Sequence, residues 1–267
     1  MSFQRTLAIV LRQLYLMKGS FSRILPLFVW IIVDMALWGF LTRYLNTVTA
    51  SGFNFVPVLL GAVLLWDFFI RIMQGVTMAF FEDVWSRNFL NIFATPILVS
   101  EYVGGLVVSS IATSFAGLIV MLLMASVFFN LSFFVYGFMV IPFILVLFLF
   151  GISLGIFGSA LVLRFGPAAE WLVWPIPALI SPFVGVLYPL STLPQWMQYI
   201  SRILPPSYVF EALRSIISGG AVSVTLLFLS ASLAAGYVIL AYCFFALVYK
   251  RALRTGLIAR YSAETVS

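Results

Sequence analysis

The sequence predicts an all-α, polytopic integral membrane protein with six transmembrane helices, an N-terminal amphipathic interfacial helix and a re-entrant external helical hairpin between spans five and six. Three observations predict it. Of 267 residues, 64% are hydrophobic and only 8% are charged, too little polar surface to cover a globule in water. Several apolar runs reach the roughly 20 helical residues that cross a hydrocarbon core about 30 Å thick. Ten-residue strands alternating apolar and polar faces are absent, which leaves helices as the spanning element.

The first element covers residues 1–23. Phe3, Leu7, Val10, Leu11 and Leu14 recur at helical spacing, with Arg5, Arg12 and Gln13 largely off that stripe, as in a helix lying in the membrane surface. A cleaved signal peptide is not expected, because the first apolar run carries Asp34 and lacks a small-residue cleavage site. The six spans fall at 24–44, 55–81, 102–129, 133–163, 171–190 and 222–249. The fourth is long enough to tilt or to have an interfacial end, and Pro175, Pro177, Pro182 and Pro189 kink or break the fifth.

An even number of crossings puts both termini on one side, and charge assigns that side. Arg5, Arg12, Lys18, Arg23, Arg87, Arg164, Lys250, Arg251, Arg254 and Arg260 lie together, against Arg43, Arg202 and Arg214 opposite. Both termini are therefore expected to be cytoplasmic, in a plasma (inner) membrane. The same placement explains the net charge of +6 as membrane orientation rather than nucleic-acid binding.

Two connections are too long to be turns. Residues 82–101, EDVWSRNFLNIFATPILVSE, place Glu82 and Asp83 near a helix start and Trp85, Phe89, Ile92 and Phe93 at helical spacing, stopped by Pro96. A short amphipathic helix across the cytoplasmic face is expected. In residues 190–221, Pro194 opens one short helix bearing Trp196, Ile200 and Ile203, and Pro205 and Pro206 end it. Ser207 is expected to cap a second, with Glu211 in its first turn and Gly219 and Gly220 at its end. Neither is long enough to span, hence the re-entrant or interfacial hairpin.

With no histidine and one cysteine, Cys243, zinc, haem and iron–sulfur sites are not expected, nor is an internal disulfide. No G-x-x-x-x-G-K-[ST] loop is present, so this chain is not expected to hydrolyse ATP. The absence of histidine argues against a Ser-His or Cys-His hydrolase. Within the spans stand Asp34, Asp67 and Arg71. A charge at mid-membrane costs at least about 2.5 kcal/mol, so these three should find partners. The spacing of Asp67 and Arg71 puts both on one helical face; the three form either a structural ion pair between spans or a polar patch along a path. Aromatic residues near span ends read as interfacial belts, and Gly151-x-x-x-Gly155 with Gly158 reads as a close helix contact.

At the two long connections the chain resembles the type-2 ABC transporter permeases, membrane subunits of exporters for polysaccharides, lipids and drugs. The segment from Tyr188, YPLSTLPQWMQ followed by LPPSYVFEALR, is similar to that family's ending. FATPILVSEYVGG is similar to its loop between spans two and three, although VWSRN stands where the family commonly has a Glu-rich, Gly-containing turn.

The resemblance implies that residues 1–267 form one permease domain, paired as a homodimer and carrying ABC-type ATPase subunits. ATP and Mg would be bound on those partners and no cofactor on this chain. It further implies that Glu82, Asp83, Trp85, Arg87 and Phe89 couple to the ATPase, and that Tyr188, Trp196, Tyr208, Glu211 and Arg214 shape an external gate. The expected function is ATP-driven export of a lipid, polysaccharide, glycolipid or drug-like cargo, with membrane lipids as surroundings. The alternatives are an ion-gradient-driven secondary transporter using Asp34, Asp67 and Arg71, and a membrane scaffold that moves nothing.

Overall fold

The structure is a computed structural model that describes residues 2–19, 21–49, 54–86 and 88–256, excluding the side chains of residues 21–24, 26–28 and 90. Among the described residues every regular element is helical. The chain runs through α1 (Phe3–Lys18), α2 (Phe21–Val48), and a π-helical turn (Val56–Leu60) that leads into α3 (Gly61–Trp85). A short α4 (Phe89–Phe93), α5 (Val99–Phe129) and α6 (Val140–Phe165) follow. Short α7 (Glu170–Val173) and α8 (Ile176–Val184), α9 (Gln195–Ile203), α10 (Pro205–Ile217) and α11 (Val224–Arg254) complete it. Four helical stretches among the described residues are long and apolar enough to cross a membrane: Val56–Trp85, Val99–Phe129, Val140–Phe165 and Val224–Arg254.

The centre of the molecule is α3, packed between α5 and α6, with α11 lying along the far side of α6. Its Phe68, Phe69, Phe80 and Phe81 are buried. Lipid offers no hydrophobic drive for one apolar helix to leave it for another, so small residues that admit a close approach decide which faces meet. The glycines of α6 do this. A Cβ on Gly151 would stand 3.0 Å from the Ile72 side chain, and one on Gly155 would stand 2.7 Å from Val76 and 2.8 Å from the Met73 carbonyl. A Cβ on Gly158 would reach Val173 at 2.7 Å, so the same stripe also seats α7.

Proline divides the run expected as the fifth span. α7 stops at Val173 and α8 begins at Ile176, after Pro175, while Pro177 and Pro182 lie within α8. Each proline removes a backbone donor and so interrupts the ladder. Gly185, with φ +66°, turns the chain out of α8. The fourth run opens with the 3-10 turn Phe133–Tyr136 before α6 starts at Val140. The Tyr136 hydroxyl donates to the Pro57 carbonyl at 2.6 Å, bracing the π-helical turn.

Three local expectations are corrected. Glu82 and Asp83 sit in the last turn of α3, not at the start of a new helix, because the buried stripe Phe80, Phe81 and Val84 carries α3 through them. Leu204, not Ser207, precedes the first turn of α10, where Pro205 and Pro206 take the first two positions, for which their fixed φ suits them. α1 turns Ile9, Val10 and Gln13 inward, leaving Phe3, Leu7, Leu11 and Leu14 exposed.

Gly155→Ala should lower thermal stability by about 1–3 kcal/mol, the usual range for overpacking, because the new methyl meets backbone as well as side chain. Gly236→Ala on α11, where a Cβ meets nothing within 4 Å, should leave stability unchanged or raise it. Thermal melts of the two variants in detergent compare the sites directly.

Candidate functional site

The densest polar network gathers where α1 and the 82–101 connection meet, at the end of the molecule that also carries most of the basic residues. Asp83 is fully buried in the last turn of α3. A carboxylate there faces the negative end of the helix dipole and needs a cation nearby. Arg12 of α1 supplies it, 2.5 Å from Oδ1. The Tyr102 hydroxyl of α5 donates to Oδ2 at 2.8 Å. One carboxylate thus ties α1, α3 and α5 together.

Glu101, in the first turn of α5, is the second knot. It accepts the Leu98 amide at 3.0 Å and the Ser2 amide at 2.6 Å, with Arg5 at 3.7 Å. Arg5 also donates to the Pro96 carbonyl, and Gln13 donates to the Ala79 carbonyl at 3.2 Å. At Gly105 a Cβ would fall 2.6 Å from Ile9, so α1 lies directly on the backbone of α5.

Aromatic rings seat α4 on this end. Phe89 lies 5.6 Å from Phe80 and 4.7 Å from Phe93, whose ring lies 5.0 Å from Tyr102 and 4.7 Å from Tyr249 of α11. Aromatic pairs at these distances, two of them edge-to-face, add stability beyond the area they bury. Of the residues expected to face an ATPase, Asp83 and Phe89 are therefore inside. Glu82 is half-buried and engaged in an interaction, Trp85 is 49% exposed, and Arg87 lies outside the described residues. Ser86, Asn91, Ala94, Thr95 and Pro96 of the same connection are also exposed and form its open rim.

The charges expected within the spans are near enough to act on one another. Asp34 of α2 and Asp67 and Arg71 of α3 all interact electrostatically. The Arg71 chain lies along α5 at Gly117, where a Cβ would stand 3.2 Å from its Cδ.

At the opposite end Glu211 and Arg214 pair at 2.8 Å, one helical turn apart on α10. Glu211 also accepts the Leu190 amide at 2.7 Å, and Arg214 donates to the Gly185 carbonyl at 2.7 Å, so the pair grips both ends of the 185–190 turn. Tyr188 donates to the Pro182 carbonyl and Tyr208 to the Arg202 carbonyl, both at 2.7 Å. Burial pushes the Tyr208 hydroxyl up, against an opposing pull from Arg202. Trp196 stays exposed, its ring edge-on to Phe183 at 6.2 Å. Tyr188, Tyr208, Glu211 and Arg214 are thus bonded to the backbone that shapes this end.

Arg12, Glu101 and Tyr102 were not singled out in the sequence. One signal for them existed: an acid next to a helix C-terminus beside the membrane calls for a cation, and α1 carries several nearby.

A family model described as ABC-2 type transporter matches residues 5–218, from α1 through α10 and including both long connections. No curated protein matches the chain.

Arg12→Ala leaves the Asp83 carboxylate buried without its cation and should cost on the order of 3 kcal/mol. Arg12→Leu combined with Asp83→Leu should recover most of that loss, because an apolar pair replaces a desolvated one. A double-mutant cycle on melting temperature measures the coupling.

Proposed function

The chain belongs to the ABC-2 type transporter family, and we propose that it serves there as the membrane half of an ATP-driven exporter, powered by a separate ATPase. It is the permease component of an ABC transporter, a multi-pass membrane protein. In the proposed reading there are six crossings. They are the four long stretches, the 28-residue α2, and the broken helical segment 167–184, which at about 1.5 Å per residue is close to the thickness of the hydrocarbon core. Both termini lie in the cytoplasm of a cell whose plasma (inner) membrane holds the protein. Two copies pair, and the cargo is a lipid, a polysaccharide or glycolipid, or a drug-like molecule.

The observation that carries the reading is α4, a five-residue helix seated by rings on α3, α5 and α11 while its rim stays open. A docked ATPase would touch Trp85, Ser86, Asn91 and Thr95. Asp83 and Phe89 would act behind that surface, passing displacement of α4 to the long helices and to α1. Closure of the ATPase pair would then bias two arrangements of the membrane halves, which is how binding at one site moves an equilibrium at another. On this reading Tyr188, Trp196, Tyr208, Glu211 and Arg214 frame the outer gate, and ATP and Mg stay on the partner.

A second reading, ion-gradient transport, draws on the electrostatic coupling of Asp34, Asp67 and Arg71. The two readings part in proteoliposomes: gradient-driven flux through this polypeptide alone would favour the second and overturn the first.

Trp85→Ala with Asn91→Arg should reduce co-purification of an ATP-hydrolysing subunit from mild detergent and abolish ATP-dependent export, with the melting temperature unchanged. A complex that survives intact with full export would remove α4 and its rim from the docking role.

A further inference from the structure

At the end opposite α4, a cleft of about 360 Å³ opens between α10, the start of α6 and the start of α11. Its size falls in the range of sites that hold small ligands. Phe143, Leu190, Ala212 and Leu226 give it apolar walls. Its charges do not cancel. Glu211, the acid in the lining, is already neutralised by Arg214. Arg202, also in the lining, has no carboxylate within ion-pair reach among the described residues, and its guanidinium rests 5.3 Å above the Tyr199 ring.

Most of the cleft hydroxyls are also committed, and Ser223 accepts the Leu226 amide. Ser207 donates to the Ser201 and Leu204 carbonyls, Ser215 to the Ala221 carbonyl and Tyr208 to the Arg202 carbonyl. What the cleft offers a ligand is therefore an apolar bed and one cation, not a set of free hydroxyls for a sugar. Its depth is marked by α9, which leaves Trp196, Tyr199 and Ile203 all more than half exposed along one side. Tryptophan and tyrosine on an exposed helix face are typical of the headgroup level of a bilayer.

We propose that this cleft binds an amphiphile with an anionic phosphate headgroup, a phospholipid of the outer leaflet, its phosphate on Arg202 and its acyl chain against Phe143, Ala212 and Leu226. Arginine suits this role because its planar fork of donors matches phosphate oxygens. The apolar walls explain why a free anion would not suffice. The proposal rests on the proposed function only in taking this end as the outer one.

The test uses the full chain in mild detergent, with bound lipid counted by native mass spectrometry after exposure to phosphatidylglycerol, phosphatidylcholine or inorganic phosphate. The wild type should retain phosphatidylglycerol over phosphatidylcholine by about fivefold, the preference expected of one basic side chain near an anionic headgroup. Arg202→Ala should erase that preference and Arg202→Lys should keep part of it. Leu226→Trp, which fills the cleft, should lower retention of both lipids. Lys250→Ala, a basic residue at the other end, should change nothing. Equal preference in the wild type and Arg202→Ala overturns the site. Full displacement of the lipid by inorganic phosphate overturns the amphiphile, and a disulfide-linked dimer formed by Leu226→Cys, in the otherwise unchanged chain but not in the wild type, assigns the cleft to a second copy instead. Co-purification of an ATPase is read separately, so loss of this site leaves the subunit reading standing.

Discussion

Asp83 places a carboxyl group, with no exposure, at the end of a long apolar helix where the helix dipole opposes its ionisation. Such a group is held only if a cation and a donor reach it from elsewhere, and here Arg12 and Tyr102 come from two other helices. The interaction is therefore more than an ornament of α3. It fixes where α1 lies, and α1 in turn lies against α5 at Gly105 and brings the Ser2 amide to Glu101. Removing the carboxylate's partners would loosen an assembly of three helices at once.

That assembly bears on how force would enter the molecule. The rings around Phe89 and Phe93 join α4 to α3, α5 and α11, and the two acid knots join the same helices to α1. A displacement of α4 cannot be absorbed by α4 alone, because close-packed interiors transmit strain rather than deform smoothly. The exposed stripe Phe3, Leu7, Leu11 and Leu14 then rides with the connection it is bound to.

Much of this was legible in the sequence, for reasons that differ from residue to residue. The four long apolar stretches follow from length and apolarity alone, and the glycine spacing at 151, 155 and 158 named the contact face of α6 because only small residues let two backbones approach so closely. Phe89 and Ile92 showed their periodicity and are buried. Asp83 reads from the sequence as the exposed start of a new helix, whereas it is buried in the last turn of α3. An acid next to a long connection looks solvated until one knows which helix covers it, and that helix is remote in sequence. Ser207 followed the usual preference of serine for a helix start, but two preceding prolines won that position. The division of 171–190 was signalled by its prolines, whereas the place of the break between Val173 and Ile176 depends on how α7 seats against Gly158.

The two ends of the molecule solve the same problem in the same way. At one, Glu101 accepts a backbone amide from a distant segment and stands beside an arginine that also holds a backbone carbonyl. At the other, Glu211 accepts the Leu190 amide and pairs with Arg214, which holds the Gly185 carbonyl. In each case a carboxylate and a guanidinium pin a connection that has no ladder of its own, satisfying backbone groups that burial would otherwise penalise. Between these pinned ends lies the helical segment 167–184, where prolines have removed donors and the ladder is broken at Trp174 and Pro175. One end of it is gripped by Arg214 at Gly185, and the other is seated against the glycine stripe of α6 at Gly158. A rearrangement that keeps both ends intact therefore finds its least resistance in the bend between α7 and α8, where the fewest backbone hydrogen bonds must be exchanged.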